Sequence, residues 1–193
     1  IDAGAYVGYK AIAMAKFSQS PVWAFEMEPQ CYDVLKLNVE VNKLFSIKAI
    51  NAGLSSETKK MTMHTRTKNS MANSLVSFRE ISGKNVKAEN HQSKEIIEST
   101  KEIDVCELDS YTKDVDIVGA LHVSVNGHEK EVLEGAKATL KKSQLIRISC
   151  PYKAKGLSVK EQVMGLLNEM EINVLREHGA AVVASGQRNI EIV

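Results

Sequence analysis

Gly4 and Gly8 bracket the segment Ile1-Asp2-Ala3-Gly4-Ala5-Tyr6-Val7-Gly8, in which an apolar strand end runs into a glycine-rich turn and then into a helix. Glycine is needed where the backbone must come close to a ligand or take a positive φ. A helix starting near Val7 would aim its free N–H groups at that turn and favour a carboxylate or phosphate there. Eighteen positions beyond Gly8, the short apolar run Val22-Trp23-Ala24-Phe25 ends in Glu26. A carboxylate at the end of a second strand can accept both hydroxyl protons of a ribose. The two features together predict a site for a nucleoside-bearing cofactor. A plain strand–helix turn with a surface glutamate is the alternative.

The spacing D-x-G-x-x-x-G is looser than the dinucleotide pattern G-x-G-x-x-G, which disfavours NAD and suits S-adenosylmethionine better. A second group lies farther on. His122 and Ser124 share one face of an apolar strand because side chains alternate with period two, and His128 and Glu129 follow closely. His122 is the candidate general base, against the plainer reading of a hydrogen-bonded structural histidine. A metal site at His122, His128 and Glu129 has little support from spacing, and no metal is expected. His64 and His91 fall in a polar stretch and are expected to be solvated. Glu26 and Glu28 alternate on one strand face, but nothing else supports a paired-carboxylate hydrolase.

These residues need a scaffold, and the pattern around them alternates strand and helix. Residues 9–17 are rich in helix formers. Pro29 suits a first helical turn, and the helix it opens puts Cys31, Leu35 and Val39 on one stripe with Val34, Leu37 and Val41 nearby. Residues 45–51 read as a third strand. Residues 55–100 break the rhythm and read as a polar, mildly basic insertion or lid, with a short strand at 61–64 and part of a helix at 94–100. Strands are expected at 103–109, 117–125 and 145–149, the last stopped by Pro151. Val132, Ala136 and Leu140 mark one helix, and Val159, Val163, Leu166 and Met170 another. Residues 172–175, 180–184 and 189–193 are β-like, two of them pairing antiparallel at the sheet edge. The sequence thus predicts one α/β domain, doubly wound around a mostly parallel seven-stranded-type sheet with an antiparallel C-terminal edge. There is no internal repeat or low-complexity tract.

Three blocks resemble the FkbM-type family of S-adenosylmethionine-dependent methyltransferases. IDAGAYVGYKAIAMAK is similar to the family's opening D-x-G-A-N-x-G turn. VWAFEMEPQCYDVLKLNVEVNKL is similar to its A-F-E-P strand and its N-x-x-x-N helix, here Asn38 and Asn42. LHVSVNGHEKEVLEGAKATLKK is similar to its K-I-D-V-E-G-x-E-x-x-V-L-x-G-A block. NAGLSS and CELDSY match weaker positions. The resemblance covers residues 1–56 and 103–149. It implies a class I, Rossmann-like methyltransferase fold and methyl transfer from S-adenosylmethionine to a hydroxyl of a sugar or other small molecule. Asp2, Gly4 and Gly8 would surround the methionine part, with Ala5 in the same turn. Glu26 would take the ribose, and Asn51 to Gly53 would lie near adenine.

The departures bear on chemistry. The family's Lys, Asp and Glu of the third block fall on His122, Ser124 and Asn126, while Gly127 and Glu129 are kept. Tyr6 replaces an Asn of the first turn and Met27 a Pro. An alcohol acceptor must lose a proton, which calls for a base in hydrogen-bond reach, and neither Ser124 nor Asn126 is a carboxylate. Two classes therefore stand: an active methyltransferase, with O-methylation expected, and a cofactor-binding protein of the same fold with lost or altered catalysis. An RNA methyltransferase is a weaker third, since there is neither an N-P-P-Y-like tetrapeptide nor a set of aromatics interleaved with the basic residues.

The bounds agree with this. The 193 residues, 44% apolar and 25% charged, suffice for one well-buried domain. A formal net charge of +1 argues against whole-chain attraction to nucleic acid. No apolar run approaches the ~20 residues of a membrane span. Cys31, Cys106 and Cys150 are widely spaced and expected to be buried thiols in a reducing, cytoplasmic compartment. No signal peptide is visible. The first strand needs residues before Ile1 to span a sheet, so part of the cofactor domain is expected to precede it.

Overall fold

The computed structural model describes residues 1–18, 20–66, 73–77, 80–83, 98–154 and 156–187. In chain order the elements begin with β1 (Asp2–Ala3), α1 (Tyr9–Ser18), β2 (Val22–Phe25), α2 (Pro29–Val41) and β3 (Ile47–Ile50). Then come β4 (Gly53–Leu54), β5 (Lys59–Arg66), β6 (Ile81–Gly83), β7 (Glu98–Cys106) and α3 (Leu108–Thr112). The second half holds β8 (Val118–Val123), α4 (Glu129–Glu134), α5 (Lys137–Lys141), β9 (Ser143–Ser149), β10 (Tyr152–Ala154), β11 (Leu157–Ser158), α6 (Val159–Glu169), β12 (Asn173–His178) and β13 (Ala181–Ser185).

Seven strands form the central sheet in the order β12-β13-β9-β8-β1-β2-β3. The run from β9 to β3 is parallel, and β13 lies antiparallel between β12 and β9. The expected doubly wound sheet with an antiparallel C-terminal edge is thus present; residues 188–193, the last β-like run, lie outside the described residues. The strand order reverses at β1, so the ends of β1, β2 and β8 open onto a switch point, where α/β sheets bind ligands.

Alternation along β2 shows how both faces are covered. Val22 and Ala24 pack with Ala11, Ala15, Leu35 and Ile47 under α1 and α2. Phe25 enters the larger cluster on the other face, with Leu121, Val123, Leu133, Ile146 and Leu167. At the start of α2, Pro29 lacks only an N–H that would be orphaned anyway, and Glu28 caps the helix by accepting from the Cys31 N–H at 2.7 Å. Cys31 and Leu35 are buried, as the stripe predicted, but Val34, Leu37 and Val41 face solvent. The three cysteines are buried and none forms a disulfide. No helix among the described residues is long and apolar enough to cross a membrane.

Several sequence expectations need correction. Residues 98–100 are strand, not helix: β7 pairs antiparallel with β5 from Arg66↔Glu98 to Lys59↔Val105, and β4 joins it in a separate three-stranded sheet. The strand expected at 61–64 is the middle of that eight-residue β5, and the one expected at 103–109 ends at Cys106 in this outer sheet. The single helix expected through Val132, Ala136 and Leu140 is two, α4 and α5, broken at Gly135. A Cβ on Gly135 would sit 2.0 Å from the Ser55 carbonyl oxygen, so the break lets the chain pass against the backbone that leaves β4.

Candidate functional site

The glycine turn is fixed mainly by backbone. Gly4 and Ala5 N–H groups both donate to the Phe25 carbonyl, at 3.1 and 2.9 Å. Gly4 has φ +82°, and a Cβ there would lie 2.2 Å from the Ser124 carbonyl oxygen. Glycine therefore serves two needs at once, a left-handed backbone and direct contact between the turn and the chain leaving β8. Gly8, at φ +91°, meets Leu35 in the same way, a Cβ falling 2.3 Å from its Cδ1. Tyr6 also has a positive φ, +54°.

Glu26 ties this turn to the end of β2. Its Oε2 accepts from the Tyr6 N–H at 2.7 Å and its Oε1 from the Glu28 N–H at 2.8 Å. It is only 8% exposed. Burial pushes its pKa up from the ordinary carboxylate range, and the two backbone hydrogen bonds pull the other way. The Asn51 amide donates to the Glu26 carbonyl at 2.8 Å, bracing the strand end from behind.

The opposite wall is the turn after β8. Asn126 and Gly127 take successive left-handed conformations, φ +56° and +100°. The buried Glu129 holds them: Oε1 accepts from the Val125 N–H at 3.1 Å and Oε2 from the Gly127 N–H at 2.9 Å. Complete burial raises the Glu129 pKa to about 7. The Asn126 amide donates to the Asn73 carbonyl at 2.9 Å, and the Ser74 hydroxyl donates to the Asn126 carbonyl at 2.8 Å. Ser74 also exchanges main-chain hydrogen bonds with His64 on β5, at 2.8 and 3.1 Å. Residues 73–77 thereby strap across from the outer sheet to the β8 turn.

Between these walls lies a small cleft that opens to solvent. Gly4, Tyr6 and Glu26 form one side, and Ser124, Val125 and Asn126 the other. Met27, Ala52, Gly53 and Leu54 supply an apolar end, and Asn73 and Leu75 of the strap also line it. Of the predicted site residues, Gly4 and Glu26 line the cleft. Asp2, Ala5, Gly8 and Asn51 stand behind it: Asp2 is wholly buried under the turn, Ala5 packs beneath α1, and Gly8 contacts Leu35. Sequence reasoning missed Asn73 and Leu75, which lie in a stretch without periodicity.

His122 also stands behind the cleft. Parallel register sets it beside Asp2, and its Nδ1 is 2.9 Å from Asp2 Oδ1. Its Nε2 faces Lys10 Nζ and Arg147 NH1, each at 3.1 Å. Both are obligate donors, so the network assigns the ring proton to Nδ1 and leaves Nε2 as acceptor. Burial lowers the Lys10 pKa, with Arg147 adding to that and Asp2 opposing it. His128 is buried near Ser55 Oγ (3.0 Å) and Glu131 Oε2 (3.5 Å). No group of three potential metal ligands is clustered among the described residues. His64 is half-buried rather than solvated, and His91 lies outside the described residues.

Residues 2–162 match the family model of the methyltransferase FkbM domain. The chain belongs to the FkbM methyltransferase family. A crystal structure of methyltransferase FkbM from Methylobacillus flagellatus superposes with a TM-score of 0.57 over 95% of this chain and 42% of that one, at 16% identity. This chain therefore spans less than half of that protein, and the likeness shows the fold, that of class I methyltransferases. Methyltransferase sdnD of Sordaria araneosa is 45% identical over 58 residues, which are 29% of this chain and 22% of that protein.

Proposed function

We propose that the cleft binds S-adenosylmethionine and that this FkbM-family chain methylates a hydroxyl of a small molecule or sugar. The observation that carries the reading is Glu26, a buried carboxylate on the cleft wall that fixes the glycine turn. An ionised carboxylate has about four lone-pair sites; backbone N–H groups use two on Glu26. The remainder suit a pair of ribose hydroxyls. Beneath the same turn the wholly buried Asp2 stands behind the cleft and supports it. The apolar end formed by Met27, Ala52, Gly53 and Leu54 suits a purine ring.

When bound, the cofactor supplies an already activated methyl group on a sulfonium sulfur. The chain's own part is then mostly to position and to exclude water. Ser124 and Asn126 can orient an acceptor hydroxyl by hydrogen bonding, but neither takes a proton as a carboxylate would. His122 enters as a positioning residue. A base role requires its Nε2 lone pair, which already faces Lys10 and Arg147, so both cationic groups would have to move aside.

One observation favours a second reading, a cofactor-binding protein without catalysis. Among the described residues that line the cleft, Glu26 is the one carboxylate and there is no imidazole. A transfer assay with labelled S-adenosylmethionine against alcohols, sugars, peptides and RNA separates the two. Label in an alcohol or sugar supports the enzyme. Tight cofactor binding with no transfer to any class supports the binding protein, and label in RNA alone contradicts the small-molecule acceptor.

A further inference from the structure

Among the described residues, two buried side-chain oxygens have no hydrogen-bond partner, Asp2 Oδ2 and Asn73 Oδ1. Asp2 is under the glycine turn, while Asn73 lines the cleft from the strap and is 6% exposed. A buried acceptor left unpaired is costly, and such atoms in a folded protein call for an explanation.

The surroundings of Asn73 make a chance placement untenable. Its carbonyl accepts from the Asn126 amide. The next residue, Ser74, is held four ways: its hydroxyl donates to the Asn126 carbonyl and accepts from the Val76 N–H at 2.9 Å, and its N–H and carbonyl pair with His64. The chain thus fixes the backbone on both sides of this asparagine and leaves its amide oxygen without a donor, beside Ser124 and Asn126. All three side chains are neutral and polar and line the same cleft.

We propose that Asn73 is a ligand-binding residue whose Oδ1 accepts a hydrogen bond from an O–H or N–H of the molecule seated beside Ser124 and Asn126. This rests on the cofactor-cleft reading above. The donor belongs either to the amino-acid end of the cofactor or to the methyl acceptor. Asn126 sets the height of the strap. Its amide can donate to Asn73, which an ionised acid at that position could not do.

The test uses Asn73→Leu, which removes the acceptor at similar volume, and Asn73→Asp, which keeps it. Each variant and the wild type is melted without ligand, titrated with S-adenosylhomocysteine and 5′-methylthioadenosine, and assayed for labelled methyl transfer. Asn73→Leu should melt no lower than the wild type, because an unpaired buried acceptor is gone, and should lose about tenfold in one ligand arm, with Asn73→Asp retaining part of it. Loss for S-adenosylhomocysteine but not for 5′-methylthioadenosine assigns the donor to the amino-acid end of the cofactor. Unchanged cofactor affinity with a raised acceptor KM assigns it to the acceptor; with no responding acceptor, the cofactor arm alone decides. The proposal is overturned if Asn73→Leu leaves every arm within about twofold, or if it lowers the melting temperature and all arms together. Wild-type protein that is folded yet binds neither nucleoside sinks the cofactor-cleft reading first, and this proposal with it.

Discussion

On one wall of the cleft the backbone does most of the holding, and on the other, side chains do. Gly4 and Ala5 hang from one carbonyl of β2, and Gly4 touches the Ser124 carbonyl directly. The β8 turn instead depends on the Glu129 carboxylate below it and the Asn126 amide above it. A backbone wall admits few changes of residue, because a Cβ or a φ requirement leaves no room. A side-chain wall can be rebuilt by substituting one polar group for another. Gly4 and Gly8 keep the glycines of the family turn, whereas Tyr6 within that turn and positions 122, 124 and 126 differ from the family residues.

The comparison can be broken by substitution, and the backbone wall should fail hardest. Gly4→Ala places a Cβ against the Ser124 carbonyl at positive φ and should cost about 3 to 4 kcal/mol in chemical denaturation. A cost below about 1 kcal/mol would show that the turn is pliable.

On the other wall the largest effect should be one of pH. The Glu129 pKa rises from 4.5 in the unfolded chain to about 7 in the fold. Between those values the unfolded chain releases a proton that the folded one keeps, so stability falls as pH rises through this window and levels above about 7. The change amounts to at most roughly 3 kcal/mol. Glu26, raised by the same cause, adds to the slope. Denaturation at several pH values from 5 to 8 should show the fall, and Glu129→Gln should flatten most of it; an unchanged slope in the variant would clear Glu129.

Behind both walls, His122→Ala should cost about 2 kcal/mol by stranding Asp2, Lys10 and Arg147. If turnover vanishes while stability is unchanged, His122 is the base after all. The smallest effect is expected of Asn126→Asp, about 1 kcal/mol from the lost donor to Asn73. It should show as faster proteolysis within the strap, and equal protection would mean that Asn126 does not latch it.

The sequence made one wall legible and the other only in part, for the same physical reason. Gly4, Gly8 and Glu26 act through turns and strand ends, whose requirements are local and leave a mark on residue type. Asn51 was assigned to the right strand end, but its amide braces Glu26 from behind, a geometry that no pattern of types encodes. Asn73 and Leu75 reach the cleft through a strap that pairs with His64 of β5 and bonds to Asn126, and such long-range contacts have no periodic signature in the sequence. The sequence offers His122 as a base because it shares a strand face with Ser124. Its partners Asp2, Lys10 and Arg147 come from three distant segments, and they turn a free-looking base into a bonded one. The solvent-facing Val34, Leu37 and Val41 show the complementary limit, since a helical apolar pattern says what is available for burial and not what is buried.

The central claim is that Glu26 makes the cleft a cofactor site, and calorimetric titration of S-adenosylmethionine into the wild type and Glu26→Ala tests it most directly. The account predicts saturable binding to the wild type and a loss of about tenfold or more in a variant that remains folded. Equal affinity in the two proteins, or no binding by a folded wild type, would contradict it.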